Sequence, residues 1–224
     1  MQKELRAQIN NLQLKIKGAS DNTSSKSNDI TVIAVSKKKT LDHIKCAYDI
    51  GLRNFGENYA QELEEKAKRL RFENIIWHFI GPLQSNKAKS ISTNAHWIHS
   101  LDREKIANKV NAECSSLNKK INGCIQVNIS EEQSKSGLRP EELLDYADHI
   151  KSLENIDLKG IMVLPSLTGD VDKQMMKSKK LHEKLIKSYP NAKYLSMGTT
   201  NDFESAIKFG SNMIRVGELI FGKR

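Results

Sequence analysis

Short apolar runs alternate with amphipathic segments along nearly the whole chain. Such runs, bounded by turn residues, predict buried strands, and the segments between them carry apolar residues at helical spacing. The predicted strands cover residues 33–37, 53–56, 75–80, 97–101, 121–129, 158–164, 194–199 and 213–218. Strands that alternate with helices imply a parallel sheet, and a sheet of eight such strands closes into a barrel. The sequence therefore predicts an α/β fold, a single (β/α)8 TIM-type barrel.

An amphipathic helix over residues 2–16 precedes the first strand, and a polar segment over residues 18–29 reads as a flexible connector. Predicted helices between the strands include 41–50, 59–70, 103–116, 140–153, 171–188 and 202–209. A length of 224 residues suits one barrel better than two ordinary domains. We expect residues 1–29 to form the N-terminal helix and connector and residues 30–224 to form the barrel, as one domain overall.

The charge pattern argues against nucleic-acid binding despite a net charge of +9. Lysines alternate with acids in segments such as residues 62–69, which indicates a solvated helix face, and aromatic residues are few. No apolar stretch is long enough to cross a membrane, and the charged N-terminus is not a signal peptide. Cys46, Cys114 and Cys124 form an odd set without metal-ligand spacing, which suits the reducing cytoplasm.

Lys37 ends the first predicted strand, at the edge of the barrel where such folds keep their chemistry. A lysine in that position can lose hydration, lower its pKa and attack a carbonyl carbon or an aldehyde cofactor. The alternative is a strand-end lysine that simply reaches water.

The last two predicted strands run into small and turn-forming residues, among them Gly198 and Gly217. In (β/α)8 barrels this region commonly holds a phosphate on backbone N–H groups. The eighth strand closes against the first, so Lys37 is expected beside the phosphate site. A reactive lysine next to a phosphate site is typical of pyridoxal phosphate binding.

Several motifs carry a family resemblance. They are AVSK at 34–37, NFGENY at 54–59, WHFIGPLQSNK at 77–87, VNI at 127–129, KSG at 135–137, LSMG at 195–198, RVG at 215–217 and IFG at 220–222. Their order and spacing are together far more specific than any one of them. From about residue 30 onward, the chain resembles the pyridoxal phosphate homeostasis protein family, whose members are small single-domain relatives of the alanine racemase barrel.

The resemblance implies that pyridoxal 5′-phosphate is the cofactor and that Lys37 holds it as a Schiff base. It also places Arg215 opposite the pyridine nitrogen, where a guanidinium keeps that nitrogen unprotonated. The alternative for Arg215 is an ion pair in the barrel interior.

The phosphate candidates are Ser196, the turn formed by Gly198, Thr199 and Thr200, then Gly217 and the backbone of Glu218. The family usually has threonine where this chain has Glu218, and a carboxylate near a phosphate would repel it. Asn58 is expected next to the cofactor ring, although it could instead cap the following helix.

We expect structural roles for the histidines. His78 matches a family position that faces the barrel mouth, but a core histidine is the commoner outcome. His96 and His99 are three residues apart on a strand and therefore point to opposite faces, so we expect no metal site from them.

Two functions of different classes follow. The first is a carrier that keeps pyridoxal phosphate on Lys37 and maintains vitamin B6 homeostasis without turnover, with cofactor-dependent apo-enzymes as candidate recipients. We expect such a carrier to be monomeric and cytoplasmic. The alternative is an amino-acid racemase, which needs a proton donor on each face of the substrate carbon. The full-length racemases supply the second donor from a further domain that we do not expect here, which favours the carrier.

Overall fold

The computed structural model describes residues 1–21, 23, 27–132, 135–166 and 169–222. Part of the predicted connector and the tail residues Lys223 and Arg224 lie outside the described residues.

Parallel strands close into a barrel in chain order, with β1 paired to both β2 and β8. The strands are β1 (Thr31–Val35), β2 (Asn54–Glu57), β3 (Ile76–Phe79), β4 (Trp97–Leu101), β5 (Ile121–Val127), β6 (Ile156–Val163), β7 (Tyr194–Ser196) and β8 (Met213–Val216). The predicted (β/α)8 barrel is confirmed. Because all strands run the same way, their carboxyl ends meet at one mouth, where the loops that follow them assemble a site.

Helices surround the barrel. They are α1 (Gln2–Ser20), α2 (Leu41–Asp49), α3 (Ala60–Arg69), α4 (Ala88–Asn94), α5 (Glu104–Ser116), α6 (Leu143–Lys151), α7 (Val171–Ser188), α8 (Phe203–Lys208) and α9 (Glu218–Phe221). Short 3-10 turns cover Ser27–Asp29, Ser85–Lys87 and Pro140–Glu142. The sequence did not predict α4, since few large apolar residues mark its buried face. It also assigned one helix to residues 140–153, where the structure has a 3-10 turn followed by α6.

The N-terminal helix α1 covers the barrel beside α8 and α9. Its buried residues Leu5, Ile9, Leu12 and Ile16 repeat every three or four positions, which places them on one face. The helix continues to Ser20, four residues beyond the predicted end, and Ala19 and Ser20 are buried. The prediction of a flexible connector from residue 18 is therefore wrong at its start.

The barrel has a separate cluster of buried apolar side chains. It consists of Ile33, Trp97, Cys124, Met162 and Met213. These side chains pack apart from the larger core that includes the helices.

None of the described helices has the length and hydropathy that a membrane crossing requires. The three cysteines are free thiols, with Cys114 and Cys124 buried and Cys46 half-buried.

Candidate functional site

A cavity of about 350 Å³ opens at the mouth of the barrel. Lys37, Asn58, Arg215, Gly217 and Glu218 all line it. The cavity thus joins loops that follow the first, second and eighth strands, because those strands are neighbours in the closed sheet. Most of the predicted site residues, although up to 181 positions apart in the numbering of the chain, share one space.

Lys37 lies in a tight turn two residues after β1, rather than at the end of the strand itself. The turn closes through a hydrogen bond of 3.0 Å from Lys39 N to Ser36 O. Lys38, the next residue, has a φ of 61°, in the left-handed region. The side chain of Lys37 is half-buried and borders the cavity, so the amine lies where a ligand could reach it.

Asn58 also borders the cavity, and its amide oxygen is available to a ligand. Among the described residues, no hydrogen-bond donor reaches its buried Oδ1. Buried polar atoms usually have a hydrogen-bond partner, so this oxygen is a candidate contact for a molecule bound in the cavity. The alternative prediction, that Asn58 caps the next helix, is wrong: α3 begins after Tyr59, and no side chain caps it.

Arg215 is buried, with 5% of its surface exposed, and reaches the cavity from β8. Its Nη1 donates to Ser196 O at 2.7 Å and to Ser196 Oγ at 2.6 Å, and its Nη2 donates to Val163 O at 2.9 Å. Burial lowers the pKa of Arg215 to about 10, so the guanidinium stays charged at neutral pH. All of these acceptors are uncharged. The alternative prediction of an interior ion pair is therefore wrong within the part of the chain that the structure describes.

Ser196 and Gly198 are not among the described residues that line the cavity. Ser196 is fully buried beneath Arg215. Gly198 has a φ of 98°, and a Cβ there would lie 2.7 Å from Ala206 Cβ on α8. The glycine thus allows the loop to pack closely on α8. The sequence had suggested another reason for glycine here, which was to let the backbone approach a phosphate. Both residues remain predictions as cofactor contacts.

Thr199 and Thr200 of the predicted phosphate turn do line the cavity, together with Asn201. Thr199 makes hydrogen bonds within its own loop, because its N and its Oγ1 both donate to the Asp202 carboxylate, at 2.6 and 2.8 Å. Thr200 and Asn201 line the same cavity as Gly217 and Glu218 and are the other polar residues of this side. Glu218 is exposed and begins α9, so its carboxylate lies at the solvent edge.

A chain of hydrogen bonds runs below Arg215 through the barrel interior. His99 Nδ1 lies 3.0 Å from Ser196 Oγ, His99 Nε2 lies 3.0 Å from His78 Nδ1, and His78 Nε2 lies 3.0 Å from Asn54 Oδ1. Burial lowers the pKa of His78 to about 3 and that of His99 well below its ordinary value, so both rings are neutral.

The Asn54 oxygen sets the direction of this chain, because an amide oxygen can only accept. His78 must then donate from Nε2 and accept at Nδ1, which makes His99 donate from Nε2 in turn. The Ser196 hydroxyl consequently donates to His99 and keeps its lone pairs for Arg215. The core interpretation of His78 is thus correct. Its contact with His99 was not predicted, because it depends on the register in which β3 and β4 pair.

Sequence reasoning missed a buried ion pair behind Lys37, formed by Glu57 and Lys66 at 2.8 Å. Lys66 was assigned to a solvated helix face, and this is wrong, because it is only 6% exposed. Its spacing from the buried residues Leu63 and Leu70 could have indicated the inward face. Lys39 was also missed. It lines the cavity, and its Nζ donates to Phe221 O at 3.0 Å.

Comparison with known proteins identifies relatives over most of the chain. The family model described as "Alanine racemase, N-terminal domain" matches residues 15–224. A protein of Haemophilus influenzae named "Pyridoxal phosphate homeostasis protein" is 42% identical over 223 residues, which cover 96% of this chain and 94% of that protein. A protein of the same name from Escherichia coli is 38% identical over 216 residues, covering 94% and 92% of the two chains.

Solved structures agree with this relationship. PipY of Synechococcus elongatus, solved with PLP bound, is 28% identical and superimposes with a TM-score of 0.84 over 97% of this chain and 100% of that chain. An alanine racemase of Clostridium difficile has a TM-score of 0.76 at 18% identity and covers 99% of this chain but only 56% of the racemase. At that identity the racemase shows a common fold alone.

Proposed function

The chain belongs to the alanine racemase N-terminal domain family, and from this premise we propose that it is a pyridoxal 5′-phosphate-binding protein of vitamin B6 homeostasis. The observation that carries the proposal is the cavity that the half-buried Lys37 shares with the buried guanidinium of Arg215 and with Asn58, whose Oδ1 has no partner among the described residues. The relatives named for pyridoxal phosphate homeostasis and the PLP-bound PipY support it.

The residues of the cavity fit this cofactor chemically. Lys37, Lys39 and Arg215 provide positive charge for an anionic ligand, and Glu218 at the rim is the one acidic residue among the described residues that line the cavity. Ile80, Met162 and Leu164 give the same space an apolar side on which an aromatic ring can pack.

Each part of the cofactor has candidate partners in this chain. The Lys37 amine would hold the aldehyde carbon. Thr200, Asn201 and the Gly217 loop would take the phosphate, with Ser196 and Gly198 as predicted supporting residues. A Cβ at Gly217 would come within 3.2 Å of Val35 O, so glycine lets that loop pack closely on the first strand.

When bound, pyridoxal phosphate supplies a reactive aldehyde and an aromatic ring that withdraws electrons. Arg215 is proposed to lie opposite the ring nitrogen and to disfavour its protonation, because two positive charges would then be adjacent. The neutral chain of His78 and His99 supports this role, since it directs the Ser196 hydroxyl to accept from Arg215 and adds no negative charge that would cancel the guanidinium.

We propose that the protein carries the cofactor without turnover and hands it to apo-enzymes, as a cytoplasmic monomer. The racemase alternative needs a second proton donor across from Lys37. Among the described residues, no tyrosine or histidine lines the cavity, and the Lys39 amine already donates to backbone carbonyls. These features support carriage over racemisation.

The test begins with the absorbance spectrum of the purified protein after addition of pyridoxal phosphate, before and after borohydride. We expect a band at the edge of the visible range that the reductant abolishes, and mass mapping should find the reduced adduct on Lys37. An adduct confined to Lys38 or Lys39, or none at all, would refute the assignment. Loaded protein should also leave the α-proton of L-alanine in place in deuterated water, and rapid exchange would instead support the racemase.

A further inference from the structure

A buried charged cluster lies behind the turn that carries Lys37. Lys66 on α3 and the fully buried Glu57 at the end of β2 form its ion pair, with Nζ and Oε1 2.8 Å apart. Burying two charges costs desolvation free energy that their attraction often fails to recover. The pair therefore calls for an explanation other than stability.

The bonds of this pair lead to the residue before Lys37. Lys66 Nζ donates to Ser36 O at 2.8 Å, and Ser36 Oγ donates to Glu57 Oε1 at 2.6 Å. Ser36 is fully buried, so both of its oxygens are held by the charged pair in a region that water does not reach.

A third charged group holds the residue after Lys37. Glu62 Oε2 accepts from Lys38 N at 2.8 Å and from Lys66 Nζ at 2.8 Å. Lys38 has a φ of 61°, a left-handed conformation that is strained for a residue with a side chain. The Glu62 carboxylate therefore helps to hold a strained peptide that directly follows Lys37.

We propose that Lys66, acting with Glu57 and Glu62, is a positioning residue that fixes the Lys37 turn so that the Lys37 amine meets an aldehyde in reactive geometry. This rests on the proposed function, because the reaction is that of Lys37 with pyridoxal phosphate. In that reaction the neutral amine nitrogen bonds to the aldehyde carbon and the aldehyde oxygen leaves as water. Lys66 is not among the described residues that line the cavity, so it acts through Ser36 rather than by touching the ligand.

The test compares wild type with Lys66→Met. Each protein is mixed with pyridoxal phosphate, quenched with borohydride over a time course, and mapped by mass spectrometry. A second titration uses pyridoxamine phosphate, which has an amine in place of the aldehyde and cannot bond to Lys37. Misplacing a reacting group by about 1 Å can cost about a hundredfold in rate. We expect adduct formation on Lys37 to slow by about ten- to a hundredfold, with the affinity for pyridoxamine phosphate unchanged.

The matched control is Lys68→Met on the same helix, which removes an exposed ion pair with Glu64 and should leave both quantities at wild-type values. Lys66→Arg keeps the charge and the donors and should restore most of the rate. If Lys66→Met does not fold, Glu62→Ala takes its place, because that carboxylate is partly exposed and its loss frees Lys38 N.

A wild-type rate in the variant that folds would overturn the inference. So would a parallel loss of adduct rate and pyridoxamine phosphate affinity, since that would show a purely structural role. The proposed function fails separately, if the wild-type protein forms no adduct on Lys37.

Discussion

The Glu57 carboxyl should make the stability of this protein fall as pH rises toward neutrality. Burial raises its pKa from 4.5 to about 7, more than the nearby Lys66 and Ser36 lower it. Its geometry agrees, because Oε2 is buried without a partner among the described residues, and an ionised oxygen there would lack a donor. The folded chain thus keeps a proton that the unfolded chain releases near pH 4.5.

The sign follows from proton linkage. Between pH 4.5 and about 7 the native state binds more protons than the unfolded state, so the free energy of unfolding decreases with pH. Each pH unit between the two pKa values is worth about 1.4 kcal/mol, which gives a loss of about 3 kcal/mol from this one carboxyl. The contribution is fully present below pH 4.5 and is lost by the time pH passes 7.

Glu57→Gln removes this titration while keeping the side-chain shape and the oxygen that accepts from Ser36. The assay is urea unfolding of wild type and variant at a series of values from about pH 5 to about pH 8, which spans most of the titration. We expect the free energy of unfolding of the variant, relative to wild type, to rise by about 2 to 3 kcal/mol across that range.

Glu64→Gln provides the control. Hydrogen bonds from Lys68 and Ser90 lower the pKa of Glu64, so that carboxyl stays ionised over the whole range. The free energy of unfolding of Glu64→Gln should therefore differ from that of wild type by the same amount at every pH. If the Glu57→Gln difference is equally constant, Glu57 is ionised throughout and the argument from burial is refuted.

Three further outcomes are expected. Arg215→Gln should change the absorbance spectrum of the cofactor-loaded protein, because the ring nitrogen can then protonate; an unaltered spectrum would place the guanidinium elsewhere. Glu218→Thr should tighten pyridoxal phosphate binding by up to about fivefold at low salt and by less at high salt, since the carboxylate is exposed. Titration of the apo-protein measures this affinity, and weaker binding by the variant would show that Glu218 favours the cofactor. Gly198→Ala should destabilise the fold by about 2 kcal/mol in urea unfolding, because the backbone there has a positive φ and the new Cβ would lie 2.7 Å from Ala206 Cβ. If the variant is as stable as wild type, α8 can shift at no cost.

Local sequence was enough to predict the barrel and to place Lys37 at its mouth, although Lys37 lies in the turn after β1 and not on the strand. Strand and helix periodicities depend on neighbouring residues, and a closed parallel barrel puts the carboxyl end of every strand at one mouth. The loops of Lys37, Asn58 and Gly217 could therefore be assigned to one site before any contact was known. The helix α4 was not predicted, because the local pattern of apolar residues in its sequence is too weak.

The groups that support the site were decided by tertiary structure. Lys66 and Glu57 lie nine positions apart, and the sequence shows a charged helix and a strand end without showing that both meet Ser36. The line from Asn54 through His78 and His99 to Ser196 crosses strands β2, β3, β4 and β7. Whether a polar side chain reaches water or a buried partner depends on how strands from distant parts of the chain are spaced around the barrel. The sequence by itself therefore determined that the loops of Lys37, Asn58 and Gly217 meet at one mouth of the barrel, and the closed barrel determined which side chains contact one another behind them.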